Sequence, residues 1–144
     1  MIIGTGMDIC DINRIEKACE RHGERFLERV FTPDERQRAL RRQGTSRFGT
    51  LAKRWAAKEA CAKALGTGFS EGVFLQDIEV VNLPSGQPSL ILTGGAQARL
   101  DALTPPGRRA VIFLSLTDEH PYAIAQVFIE AQEIDKDSFP PNPP

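Results

Sequence analysis

Cysteine is scarce in this 144-residue chain, and its spacing does not favour cross-linking. Cys10, Cys19 and Cys61 are odd in number, and no two form a Cys-x-x-Cys pair. That argues against a disulfide framework or a cysteine zinc site, and the thiols read as free and buried in a reducing compartment. No positively charged start leads into an apolar run of signal-peptide length, and no run approaches a membrane span, so a cytoplasmic protein is expected. An excess of one charge is missing as well. The formal net charge is -1, so no global field draws the chain to nucleic acid or to a membrane. No internal repeat is visible. What is present is the composition of one soluble domain, 41% hydrophobic and 26% charged. A chain of this size can bury roughly 68–70% of its unfolded surface. Its charge is uneven, with many arginines between Arg21 and Arg47.

The chemically informative stretch is 54–68. It is alanine-rich and should form a strong helix, which Gly66 can stop by taking the left-handed conformation. Glu59 and Lys63 lie one turn apart on a single face, and Ala52, Ala56 and Ala60 beside it leave room for another group. A Glu followed one turn later by a Lys is also an ordinary helix pair, contributing about 0.2–0.5 kcal/mol. The helix alone therefore does not define a site.

The amino terminus supplies a second carboxylate. Period-two alternation puts Ile3, Thr5, Met7 and Ile9 on one strand face and Ile2, Gly4, Gly6 and Asp8 on the other. Glycine inside a strand weakens it and often marks the close approach of a backbone or a ligand. Asp8 is not needed to cap the following helix, because Asp11 can do so. Asp8 and Glu59, from separate elements and each among small residues, thus form a candidate hard-cation site. Magnesium takes one or two protein carboxylates and completes its shell with water and phosphate oxygens.

Along the chain, Asp11 opens a helix whose apolar positions are Ile12, Ile15, Ala18 and Cys19. Gly23 interrupts it, and a short amphipathic piece follows with Phe26, Leu27 and Val30. Thr32-Pro33-Asp34-Glu35 is a helix start, with Thr32 as cap, Pro33 as first residue and Glu35 as the capping-box acid. The alanine-rich helix spans about 46–65. Short strands near 78–81 and 90–92 flank turn residues 83–88. A helix near 96–103 precedes an antiparallel hairpin of 110–116 and 122–129. The expected fold is α+β, helices packed on an antiparallel sheet in the order β-α-α-α-β-β-α-β-β. The domain is placed at 1–131. The polar, proline-rich 132–144 is expected to be a disordered tail.

Ile3-Gly4-Thr5-Gly6-Met7-Asp8-Ile9, with Ile12 and Arg14-Ile15, resembles the opening of the holo-acyl-carrier-protein synthase family. Lys53-Arg54-Trp55-Ala56-Ala57-Lys58-Glu59-Ala60, continuing through Lys63-Ala64-Leu65-Gly66-Thr67-Gly68, resembles that family's second signature. Asp77-Ile78-Glu79-Val80, Gly86-Gln87-Pro88, Ser115-Leu116 and Tyr122-Ala123 follow in the family's order, so the similarity covers about residues 1 to 131.

The resemblance implies the 4'-phosphopantetheinyl transferase fold, in a homotrimer with active sites between subunits. It implies transfer of 4'-phosphopantetheine from coenzyme A to a serine of apo acyl carrier protein, releasing adenosine 3',5'-bisphosphate, for fatty acid biosynthesis. Asp8 and Glu59 match the family's metal ligands, with Mg2+ as the implied ion, and Glu59 and Lys63 its catalytic positions. The base stays open among Glu59, Lys63 and a metal-bound water. A lysine base would need a lowered pKa, towards which Lys58 could help. Lys53, Arg54, Lys58 and Gly66 are candidates for binding coenzyme A, although surface solubility explains Lys53 and Arg54 equally well. Gly86 and Pro88 match a loop that reaches the nucleotide in a neighbouring subunit. Arg14, Arg21 and Arg25, with Phe26, form a candidate docking surface for an acidic carrier protein on the first helix. Read simply, the same stripe is a solvated face balanced by Glu16, Glu20 and Glu24.

One position departs from the family. Asp118 stands where many members carry histidine, so no role of that histidine carries over. His120 is two residues away and precedes Pro121, and His22 reads as a surface residue. Two other functions remain open. A magnesium-dependent phosphohydrolase would use the same carboxylates without a docking helix. A non-catalytic binding module would be expected to have lost Asp8, Glu59 or Lys63, and all are present.

Overall fold

In the computed structural model, which describes residues 1–135, strand β1 (Ile2–Asp11) is followed by helices α1 (Ile12–His22), α2 (Glu24–Val30), α3 (Pro33–Leu40) and α4 (Ser46–Ala64). A 3-10 turn (Leu75–Asp77) leads into β2 (Ile78–Asn82) and β3 (Pro88–Leu92). Helix α5 (Gly94–Leu103) and the hairpin β4 (Arg108–Glu119) and β5 (Tyr122–Glu133) complete the described chain. The α+β architecture is as expected. The amphipathic piece after Gly23 is a helix of its own, so four helices rather than three lie between β1 and β2.

Local chemistry sets these boundaries. The Asp11 carboxylate accepts from Asn13 N at 2.9 Å and caps α1. Gly23 takes φ 53° and donates to Cys19 O at 2.8 Å, closing α1 where a side chain would be strained. Arg25 therefore sits on α2 and not, as the sequence suggested, on the first helix. Thr32 and Glu35 form the capping box of α3.

The strands form two antiparallel sheets, β1-β5-β4 and β2-β3. β4 and β5 extend past their apolar centres because Asp118 and Glu119 still pair with Ala123 and Tyr122, leaving His120-Pro121 as the turn. At the other end Arg108 and Arg109 pair with Glu133 and Gln132, so β5 runs two residues beyond the expected domain end. Residues 136–144 of the expected tail lie outside the described residues.

Helix α4 lies across the inward face of the larger sheet. That face carries Gly4, Gly6, Asp8 and Cys10 of β1 in register with Ile129, Val127, Ala125 and Ala123 of β5. Ala52, Ala56, Ala57 and Ala60 of α4 are fully buried. A Cβ on Gly4 would stand 2.3 Å from Ala64 O, and one on Gly6 1.9 Å from Ala60 O. The strand glycines thus admit the backbone of α4, the first of the two possibilities that strand glycines raise. The opposite sheet face is turned outward and leaves Met7, Ile9, Phe113 and Phe128 exposed.

Gly6→Ala is expected to destabilise the protein by about 1–3 kcal/mol or more, because α4 must retreat from the sheet. Thr5→Ala, on the outward face, should stay within about 0.5 kcal/mol. Urea unfolding midpoints of the two variants test the contrast.

Candidate active site

The backbone contact between β1 and α4 brings Asp8 to Lys63. Lys63 Nζ donates to Asp8 Oδ1 at 3.2 Å and to Met7 O at 3.0 Å, bridging helix to strand instead of closing the ordinary helix pair with Glu59. The lysine side chain is 54% exposed and the Asp8 side chain 17%. Glu59 lies half-buried one turn before Lys63 on the same helix face. Burial first, and then the charge of Asp8, push the Glu59 carboxyl above the usual range, against the opposing pull of Lys63 and Arg14.

A carboxyl made costlier to ionise by a neighbouring carboxylate suits a cation beside it. Among the described residues no third histidine, cysteine or acid completes a metal cluster. The donor set therefore fits a hard cation that keeps water and substrate oxygens in its shell, and not zinc. The neighbouring cysteines are inert thiols. Burial pushes Cys10 up to about 11, with Asp8 adding to it, and Cys61 up to about 12.

A second region is built from the first half of α4. Lys53 Nζ pairs with Asp118 at 3.1 Å, possible because Asp118 lies on the inward face of β4 opposite Ala123. The pair stands at a cavity of about 410 Å3 that also includes Ser46, Thr50 and His120. A smaller pocket of about 190 Å3 is lined by Arg38, Arg42, Lys53, Arg54, Asn82 and Pro88. The two share Arg42, Thr50 and Lys53. Arg54 is only 5% exposed and donates to Thr50 O and to Asn82 Oδ1, each at 3.4 Å. Asn82 in turn donates to Gly86 O at 3.0 Å, tying the 83–88 turn to this wall. The structure thus gathers Lys53, Arg54, Gly86 and Pro88. Gly66 lies apart, beyond the end of α4, where a Cβ on it would stand 3.5 Å from the Arg99 guanidinium.

Two expected roles do not survive the geometry. Lys58 is completely buried, and its ammonium donates to Glu35 Oε1 at 2.7 Å, to Leu75 O at 3.1 Å and to Ile78 O. All three N–H groups are used, so none is left for a coenzyme A phosphate, and the charge lies too deep to assist Lys63. Glu35 also accepts from Thr32 N at 2.9 Å and from Val80 N at 3.0 Å. The pair pins α3, α4 and β2 together. Phe26 is half-buried and packs edge-on against Phe31 at 6.0 Å and tilted against Trp55 at 6.2 Å, so its ring belongs to the core more than to a docking surface. Arg14, Arg21 and Arg25 are exposed.

Sequence reasoning missed Arg38, Arg42 and Asn82. The two arginines stand four residues apart, Arg38 in the last turn of α3 and Arg42 just past its end.

Lys58→Met should cost about 3–5 kcal/mol by leaving Glu35 charged and buried, and Glu35→Gln/Lys58→Met should recover much of that loss. Chemical denaturation of the single and double variants measures both.

The family model described as the 4'-phosphopantetheinyl transferase superfamily matches residues 4–127. The holo-[acyl-carrier-protein] synthase of Granulibacter bethesdensis is 68% identical over 131 residues, covering 91% of this chain and 90% of that protein. The one from Methylobacterium sp. (strain 4-46) is 64% identical, covering 91% and 96%. Among solved structures, the holo-[acyl-carrier-protein] synthase of Neisseria meningitidis superposes with a TM-score of 0.78 at 32% identity, over 90% of this chain and 99% of that one. The holo-(acyl-carrier-protein) synthase of Bacillus anthracis in complex with CoA (3',5'-ADP) gives 0.73 at 35% identity, over 92% and 99%.

Proposed function

The chain belongs to the 4'-phosphopantetheinyl transferase superfamily, and we propose that it is a magnesium-dependent holo-[acyl-carrier-protein] synthase whose metal is held by Asp8 and Glu59. It transfers 4'-phosphopantetheine from coenzyme A to a serine of apo acyl carrier protein and releases adenosine 3',5'-bisphosphate. The observation that carries the site assignment is the juxtaposition of Asp8 on β1 with Lys63, and hence with Glu59, on α4.

The diphosphate of coenzyme A is the electrophile, and negative charge grows on it as the serine oxygen attacks and the nucleotide leaves. A bound divalent cation supplies neutralisation of that charge. Lys63 has an exposed ammonium and enough reach to exchange the Asp8 carboxylate for a phosphate oxygen. Its N–H groups donate to the Asp8 carboxylate and to the Met7 carbonyl, an arrangement that suits a positive charge offered to substrate oxygen. Arg14 adds positive charge beside Glu59. Lys53, Arg54, Gly86 and Pro88 hold the nucleotide end of the substrate on the basic wall, and Gly66 lets ligand approach the backbone beyond α4. Exposed Arg14, Arg21 and Arg25 present a basic surface to an acidic carrier protein.

The homotrimer is the reading that best accounts for the outward face of the large sheet. Met7 is 58% exposed and Ile9 59%, and Phe113 and Phe128, paired with each other, lie on the same face. An apolar strand face of this kind is what a subunit interface covers. No described helix is long and apolar enough to cross a membrane. A cytoplasmic role in fatty acid biosynthesis agrees with the free cysteines and with the carrier protein as substrate.

Intact-mass spectrometry tests the transfer. Apo acyl carrier protein incubated with the enzyme, coenzyme A and magnesium should gain one phosphopantetheine group. Asp8→Ala and Glu59→Ala should each lower kcat/KM by about 10²–10³-fold. A mass gain that survives the double substitution would refute the site. No gain on several apo carriers would refute the transferase and turn attention to hydrolysis of coenzyme A. The interface is tested separately: Met7→Asp should convert the trimer to smaller species in light scattering after gel filtration, and a trimer that persists would refute this face as the contact.

A further inference from the structure

We propose that Arg99 of α5 is a positioning residue for the transfer: it closes the carboxyl end of α4 and so fixes Lys63, which stands in the last turn of that helix. The inference rests on the transferase reading and adds a residue remote from the carboxylates to it. The carbonyls at the end of a helix have no partner within it and must find one elsewhere. Here Cys61 O accepts from Leu65 N at 2.9 Å, Ala62 O from Gly68 N at 3.1 Å and Lys63 O from Gly66 N at 3.0 Å. Leu65 is fully buried, and its carbonyl accepts from Arg99 Nε at 2.9 Å. The partner thus comes from another helix, and its positive charge suits the negative end of the α4 dipole.

The guanidinium is not spent on an acid. Among the described residues Arg99 has no carboxylate within 4.0 Å. Its Nη2 would stand 3.5 Å from a Cβ on Gly66, the residue whose φ of 80° turns the chain out of the helix. Two further contacts fasten α5 to the segment that leaves α4. A Cβ on Gly95 would stand 1.8 Å from Gly72 O, so helix backbone meets loop backbone. The Asp77 carboxylate accepts from Phe74 N at 3.2 Å, and Asp77 O accepts from Thr93 N at 2.9 Å, just before α5. The segment is therefore braced by α5 at its start, at Gly72 and at its end. Arg99 supplies the brace nearest to Lys63. The Lys63 side chain is long and 54% exposed, so its aim depends on how firmly its own turn of helix is held. A misplacement of about 1 Å at a reacting centre can cost on the order of 100-fold in rate.

A double-mutant cycle tests the role. Arg99→Met removes the donors and keeps the apolar stem. It should lower kcat for transfer to apo acyl carrier protein by about tenfold and change KM for coenzyme A by less than about threefold. In a Lys63→Ala background the same substitution should cost less than about twofold, because its effect passes through Lys63. A merely structural role would give the same factor in both backgrounds, and that result would overturn the proposal. So would an unchanged kcat, or a loss confined to KM. Arg99→Lys, which keeps one charged donor, should recover part of the loss. Arg109→Gln, on exposed β4, removes the same charge and should leave kcat unchanged. Thermal melts of all variants, with Arg99→Lys as the milder one, separate misplacement from misfolding. Hydrogen exchange of the full chain reads the closure without turnover: the amides of Leu65, Gly66 and Gly68 should exchange faster in Arg99→Met, with those of β5 unchanged. Protection that stays as in the parent chain would overturn the closure. Faster exchange in a chain that transfers no phosphopantetheine would leave the closure standing and refute the transferase. Transfer with additive losses would refute the positioning role alone.

Discussion

The backbone-to-backbone contact of β1 with α4 is the constraint on which the site depends. Side chains at Gly4 or Gly6 would overlap the carbonyls of Ala64 and Ala60, so helix and strand meet without intervening bulk. A carboxylate on the inward face of β1 then lies within a salt-bridge length of the helix lysine that follows Glu59 by one turn. The fully buried alanines of α4 serve the same end, since each larger residue would lift the helix from the sheet. The site is therefore a product of packing: its charged groups come from two elements, and the spacing between those elements is set by residues with almost no side chain.

Helix α4 carries charge in three different environments, and its pitch keeps them apart. Lys58 points into the core, where Glu35 and two carbonyls consume its donors. Glu59 and Lys63 face Asp8 at the edge of the sheet. Lys53 and Arg54 face the basic wall formed with α3 and the 83–88 turn. Equal charges one turn or one residue apart thus have unlike roles. Lys58 is surrounded by protein and fixes the fold, whereas Lys63 keeps an exposed ammonium at the edge of the sheet.

Much was legible in the sequence because it is encoded locally. Thr32 and Glu35 announce a capping box, Asp11 a cap and Gly23 a break, each acting on its own turn of chain. Asp8 stood out at the end of a strand face opened by glycines, and it gave the otherwise ordinary Glu59–Lys63 pair a possible partner. What misled was equally local. Lys58 looks like its neighbours on the helix, and only a partner from α3 reveals it as a buried pin. Phe26 follows an arginine and so suggested an anchor, yet Phe31 and Trp55 draw its ring inward.

The sequence by itself determined the α+β class, the caps and breaks of its elements, and Asp8, Glu59 and Lys63 as candidate site residues, because these follow from periodicity, capping chemistry and short motifs. Tertiary structure alone decided which strand face is buried, since both faces of β1 alternate correctly and only the approach of α4 selects the glycine side. It also decided that Lys63 bridges to Asp8, that Lys58 is spent on Glu35, and that Arg38 and Arg42 converge with Arg54 on one pocket. Each of these pairs residues from different elements, and such distances are fixed only when the helices and sheet pack.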